Sequence, residues 1–285
     1  MATLRDLRTR VSSITNIQRV TNAMQMVAAA KMRRAQDAIQ AARPYAQQLD
    51  RVLRELHQSV DTDEQPLFKE RPAERVALVV VTSDRGLCGA FNSGLCRRVQ
   101  AELGEYAEAE IELVTVGRKG RDYFGNRGYA ITRHHADVFA QLEFTRAVDI
   151  AQDMTQSFIA GATDRVLLCY SEFASVASQV PAVHQLLPIV PEQSADEGGA
   201  VDYAFEPSPE ALLATLVPRQ VNFQVWRALL ESNAGFFAAQ MTAMDNATKN
   251  AGDMIEELTR EMNKERQASI TLELMDIIGG AEAVA

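Results

Sequence analysis

Long apolar runs are missing from this chain of 285 residues. No uninterrupted apolar stretch approaches the roughly 18 residues a membrane-spanning helix needs, so no direct membrane insertion is expected. Cysteine is scarce: Cys88, Cys96 and Cys169 form no CxxC pair. An odd number without motif spacing excludes a disulfide framework and fits reduced thiols in a reducing compartment. Aromatic residues make up only 6% of the chain, which speaks against an aromatic-rich β-barrel. The N-terminus, Met1-Ala2-Thr3-Leu4-Arg5-Asp6-Leu7-Arg8, lacks the apolar core of a signal peptide.

Catalytic patterns are missing too. The four histidines, His57, His134, His135 and His184, show no ligand spacing with the cysteines. His134-His135 reads as a solvated turn pair. Ser83 beside Asp84 has no local histidine base and no nucleophile elbow. The turn Ser83-Asp84-Arg85-Gly86-Leu87-Cys88-Gly89 matches neither glycine pattern that cradles phosphates, and Gly117-Arg118-Lys119-Gly120 is basic but carries only GxxG. No cofactor and no metal site are expected.

Two helical segments dominate what is present. Residues 3–57 hold no glycine and a single proline, Pro44. Apolar positions step through Leu4, Leu7, Val11 and Ile14, then restart at Ile17, Val20, Met24 and Val27. A restart after three residues reads as a stammer in a heptad repeat. The stripe softens into Ala28, Ala29, Ala30, Ala35, Ala38 and Ala42 and resumes at Leu49, Val52 and Leu56. Near the other end, Leu230, Ala234, Phe237, Met241, Met244, Thr248, Ala251, Ile255, Leu258 and Met262 alternate spacings of four and three without a break. That is a coiled-coil seam. This helix is expected to start at Ser208-Pro209, to bend or break at Pro218 and to stop at Gly279-Gly280. Unbroken, the two helices would be about 80 Å and about 105 Å long, too long for a compact bundle. They are expected to pair as one antiparallel coiled coil, with the longer helix projecting past its partner.

Between them the period changes. Arg75–Thr82, Ile111–Val116 and Arg165–Tyr170 are β-branched runs that read as buried parallel strands. Helical stretches fall at about 90–103, 118–127 and 143–161, and strand–helix alternation predicts a doubly wound, Rossmann-like α/β domain. Residues 178–189, with Pro181 and Pro188, read as an edge element. The expected organisation is therefore a first helix at 1–60, an α/β domain at 73–195, a linker loop at 196–208 and a second helix at 209–285.

The charge is lopsided. Residues 1–57 hold ten Lys or Arg against four Asp or Glu, a net +6, so the other 228 residues carry −15 of the chain's net −9. With Tyr45 its only aromatic, the basic segment fits an acidic protein partner or solvent better than stacked nucleic-acid bases.

Four stretches carry a family resemblance. Thr21-Asn22-Ala23-Met24-Gln25-Met26-Val27-Ala28-Ala29-Ala30-Lys31-Met32, Asp84-Arg85-Gly86-Leu87-Cys88-Gly89-Ala90-Phe91-Asn92, Asn263–Thr271 and Ile277-Ile278-Gly279-Gly280-Ala281 resemble, in order and from end to end, the motifs of the gamma subunit of F-type ATP synthases. The resemblance implies a non-catalytic central rotor stalk. Its partners would be three alpha and three beta subunits, one epsilon subunit and a membrane-embedded c-ring, and it would lie on the cytoplasmic side of a bacterial plasma membrane. It implies rotor–stator coupling roles for Met24, Arg266, Gln267, Thr271 and Glu273, and a motif at the foot domain in Arg85, Gly86, Leu87, Cys88 and Gly89. Many members carry Arg where this chain has Gln240, and the chloroplast-type cysteine insertion is absent. The start at Met1 without a transit peptide fits a bacterial source. A free-standing coiled-coil scaffold and a nucleotide-binding α/β enzyme with a helical arm are the competing readings.

Overall fold

The computed structural model describes residues 3–59, 65–190 and 208–284. The expected linker loop lies outside the described residues apart from Ser208. The chain forms two compact units, Met1–Ala29 with Gln240–Ala285, and Ala30–Ala239. Two helices, α1 (Leu4–Ser59) and α5 (Pro209–Val284), each contribute to both.

The larger unit is built on a five-stranded sheet. Its strands are β1 (Arg75–Val81), β2 (Glu110–Val116), β3 (Ile131–His135), β4 (Arg165–Phe173) and β5 (Gln179–Leu187), in the order β3-β2-β1-β4-β5. All neighbours are parallel except β4 and β5. Helices α2 (Phe91–Glu105), α3 (Arg118–Gly125) and α4 (Phe144–Ile159) make the crossovers. Successive β1 side chains alternate between two cores. Ala77, Val79 and Val81 meet Ile150, Met154 and Phe158 of α4, together with Leu213, Val217, Val221, Val225 and Leu229 of α5. Val76, Leu78 and Val80 meet Leu95 and Val99 of α2 and Phe124 of α3. A strand covered on both faces must be apolar throughout, which is why its sequence shows a run rather than an alternation. The sheet's base is tied where Asp164, buried ahead of β4, accepts from Arg75 N at 3.0 Å and Nη2 at 2.9 Å.

Three local expectations are corrected. His134-His135 is not a turn; it ends β3. Thr115 Oγ1 lies 3.0 Å from His134 Nδ1, and burial holds the His135 imidazole below its ordinary pKa despite Asp153 nearby. The strand escaped notice because Ile131-Thr132-Arg133-His134-His135 is short and polar, as an edge strand can be. A short 3₁₀ turn at Pro66–Phe68, unforeseen, inserts Leu67 into the core. Pro218 does not interrupt α5, which also runs through Gly279-Gly280 to Val284. Pro218 is exposed, and Leu213, Val217 and Val221 beside it are buried, so packing carries the helix across the missing hydrogen bond.

The smaller unit is an antiparallel helix pair. A capping box starts α1: Asp6 N donates to Thr3 Oγ1 at 3.3 Å, and the Thr3 hydroxyl at 2.8 Å and Thr3 N at 3.1 Å donate to Asp6 Oδ2, which keeps the Asp6 carboxyl below its usual range. Thr21 meets Thr248 at 2.7 Å, and Gln25 Nε2 donates to Asp245 Oδ1 at 3.0 Å. Extending this antiparallel register sets Ile14 opposite Ile255, Val11 opposite Leu258 and Leu7 opposite Met262. The expected stammer is absent. Ile17, Val20 and Val27 are 55%, 58% and 56% exposed, whereas Thr21 and Ala28 are buried. The seam continues from Ile14 through Gln18, Thr21 and Gln25 to Ala28 in unbroken steps of four and three. Polar pairing, not apolarity, fills three successive seam positions.

Candidate functional site

The larger unit's candidate surface is the loop that follows β1. Strand β1 lies between β2 and β4, so the crevice beyond its C-terminal end is where a doubly wound sheet takes ligands. On its β2 side the chain ties this end of the sheet together itself. Thr82 Oγ1 donates to Val116 O at 3.0 Å and accepts from Gly120 N at 2.8 Å. Gly117 has φ 85°, and a Cβ there would lie 2.1 Å from Thr82 O, so only glycine fits. Asp84 Oδ1 accepts from Arg118 N at 3.1 Å and from Asp137 N at 3.2 Å. The Arg118 guanidinium pairs with the Asp137 carboxylate, which raises the Arg118 pKa. The first amide of α3, which like any helix N-terminus could meet an anion, is thus taken by a carboxylate of the same chain.

Beyond Asp84 the motif loop turns back onto α2. Ser83 N donates to Asn92 Oδ1 at 2.9 Å, Ser83 Oγ to Arg85 O at 2.6 Å, and Asn92 Nδ2 to Cys88 Sγ at 3.2 Å. Leu87 sits at φ 62° and is 62% exposed. A bulky residue in the left-handed region persists only where its surroundings hold it. Arg85 and Gly89 are exposed and Gly86 is half-buried. Cys88 is buried against Phe91 and Phe236, and burial pushes its thiol pKa up. Gly235 allows this approach of α5, since a Cβ there would lie 3.1 Å from Phe91 and 3.3 Å from Gln179. The same unit places Lys31 Nζ 5.3 Å from the Phe237 ring centroid.

In the smaller unit, Met24 and Gln240 are half-buried, and Met24 is next to the Gln25–Asp245 contact. Lys249 Nζ also reaches Asp245, at 2.6 Å, and together with Gln25 lowers its pKa. Arg266, Gln267, Thr271 and Glu273 are all exposed. Thr271 Oγ1 donates to Gln267 O at 2.9 Å, so these two share one helical turn. Among and beyond them Ile270, Leu272, Leu274, Met275, Ile277 and Ile278 are each half exposed or more. The register explains this: Leu4, the first residue of α1, falls opposite position 265, and among the described residues none of α1 lies opposite the part of α5 beyond it. Sequence reading missed the polar layer and the Asp84 contacts. Carrying the alternation of three and four on past Ile14, with a step of four to Gln18, would have found the first; the second had no local signal.

Among the described residues no cluster of His, Cys, Asp or Glu could hold a metal ion, and no helix is long and apolar enough to cross a membrane. The geometry defines the class: an antiparallel pair of long helices, and a doubly wound α/β domain whose motif loop is tied down by its own chain.

Comparison with known proteins sharpens the class. The ATP synthase family model matches residues 3–284. The chain is 47% identical to the ATP synthase gamma chain of Anaeromyxobacter sp. (strain Fw109-5), over the full length of both. It is 45% identical to the ATP synthase gamma chain of Chlorobium phaeobacteroides (strain BS1), covering all of this chain and 99% of that one. A chain of the Tetrahymena thermophila mitochondrial ATP synthase central stalk and c-ring superposes with a TM-score of 0.63 at 26% identity, over 80% of this chain and 99% of that one. A chain from Euglena gracilis mitochondrial ATP synthase shares the fold, with a TM-score of 0.70 at 21% identity over 99% and 94% of the two chains. The chain belongs to the ATP synthase gamma-chain family.

Proposed function

We propose that this chain is the central rotor stalk of an ATP synthase, one copy per complex, itself without a catalytic site. It couples proton flow through a membrane-embedded c-ring to ATP synthesis or hydrolysis at sites on beta subunits. Its partners are three alpha and three beta subunits, an epsilon subunit and the c-ring, and it works at the cytoplasmic face of the membrane. One observation carries the reading: the apolar end of α5 extends beyond its partner helix with its leucines and isoleucines uncovered. Such a surface needs an apolar bearing, and non-directional contacts allow it to turn there. Arg266, Gln267, Thr271 and Glu273 sit where that bearing begins, Met24 lies on the paired shaft, and Arg85–Gly89 form a second contact. Exposed Lys31, Arg33 and Arg34 face acidic loops through contacts worth about 0–1 kcal/mol each.

The test is co-expression with alpha and beta subunits. One copy co-eluting with three of each is expected, and the isolated chain is expected to hydrolyse no ATP. A stable homodimer that ignores alpha and beta would support a free-standing scaffold; tight nucleotide binding by the chain alone would support an enzyme.

A further inference from the structure

We propose that Asp84 is the positioning residue of the motif loop, its carboxylate fixing how Arg85 and Leu87 are presented. The loop has two sets of ties. On one side, Ser83 and Asn92 lock its base to α2. On the other, Asp84 Oδ1 binds the first amide of α3 and the Asp137 amide in the loop after β3. One oxygen therefore joins the ends of β1, β2 and β3. The side chain is 11% exposed, and the Arg118 guanidinium, Nε at 3.8 Å, lies beside it. Arg85 and Leu87 follow directly and point to solvent, Leu87 in a backbone conformation its own side chain disfavours. Removing the Asp84 acceptor opens both amide contacts and frees one side of the loop, so Leu87 relaxes out of the left-handed region. Cys88, buried beneath the loop, then becomes accessible.

The three native thiols make the test local. All are buried, and burial raises each pKa, that of Cys96 to about 12. Only Cys88 belongs to the loop. In the full-length chain, Asp84→Ala is expected to speed labelling of Cys88 by a maleimide about tenfold while Cys96 and Cys169 stay protected. Asp84→Asn keeps an acceptor oxygen at the same place and is expected to label within about twofold of wild type. Protection of Cys88 in Asp84→Ala overturns the proposal. So does equal labelling in the Asn and Ala variants, or simultaneous reaction of all three thiols, which marks domain-wide unfolding. The functional half rests on the stalk reading. In the assembled membrane complex, Asp84→Ala and Leu87→Ala are both expected to lose proton pumping per ATP hydrolysed. Increased Cys88 labelling with undiminished pumping overturns the claim that Asp84 acts through Arg85 and Leu87. The stalk reading itself stands or falls separately, on subunit co-elution.

Discussion

Replacing Leu7 and Val20 in turn by alanine discriminates between the two seams that α1 offers. Leu7 is 1% exposed and faces Met262 in the register set by the Thr21–Thr248 contact. Truncating it removes about three methylene equivalents from an apolar seam, about 2.4 kcal/mol by transfer alone. The cavity left behind adds to this, though a site within the first two turns can partly close in, for a total of about 3 kcal/mol. Val20 is 58% exposed, and its truncation is expected to cost about 0.5 kcal/mol or less. Thr21→Ala lies between, at about 1 kcal/mol, because Thr248 keeps its bond to Met244 O when the Thr21 hydroxyl is lost. The assay is amide hydrogen exchange of the full chain, followed by mass spectrometry on peptides from 4–28 and 244–265. Leu7→Ala is expected to speed opening of these peptides roughly 100-fold, and Val20→Ala no more than about twofold. A larger effect from Val20→Ala than from Thr21→Ala would refute the polar seam and restore the stammered one.

Other perturbations probe the larger unit and the helix tip. Gly117→Ala places a Cβ 2.1 Å from Thr82 O at φ 85°, and is expected to lower stability by about 3 kcal/mol or more in urea unfolding. Gly128→Ala, at φ 80° with no atom within 4 Å, isolates the backbone strain at about 1 kcal/mol; equal losses at the two sites would deny the clash. Hydrogen bonds from Arg75 hold the Asp164 carboxyl below its ordinary value, so the folded state binds its proton less readily than the unfolded chain. The stability this contributes is present above the unfolded pKa of about 3.9 and is lost as pH falls through the lower folded value. Asp164→Asn is therefore expected to be less stable at pH 7 and to show a shallower fall in urea midpoint on acidification; an unchanged acid limb would discount the pair. In the assembled complex, Gln267→Ala is expected to impair coupling more than Glu257→Ala, and ending the chain after Ser269 to weaken rotation while the paired helices still assemble. Equal effects of the two substitutions would count against the role proposed for Gln267.

Much of the fold was legible because it is written in local periods. The strands β1, β2 and β4 announce themselves as apolar runs, since each is covered on both faces. Along the seam of α5 from Leu230 to Met262 no position is exposed, and Leu230, Ala234, Met244 and Ala251 are buried, so there spacing and cover agree. Where they part, reading failed. Ile17, Val20 and Val27 look like a seam, yet they lie outside it. β3 looks like a turn because an edge strand can afford polar residues. Pro218 looks like a break because the cost of a missing hydrogen bond is local, while the packing that offsets it is not. Of the candidate residues, the exposed tip was foreseeable from the unequal helix lengths, and the buried Cys88 at the heart of its motif was not.

The sequence by itself determined that there are two long helices and a doubly wound domain, since helix length, heptad spacing and strand composition depend on neighbours along the chain. Tertiary structure alone decided which stripe of α1 faces α5 and what meets the first amide of α3. Both turn on polar groups: Thr21, Gln25 and Asp84 are unfavourable in the interior until Thr248, Asp245, Arg118 and Asp137 meet them from distant parts of the chain. An apolar side chain gains from any apolar cover, so its fate can be guessed from its pattern. A polar one gains only from a particular partner, and the fold supplies it.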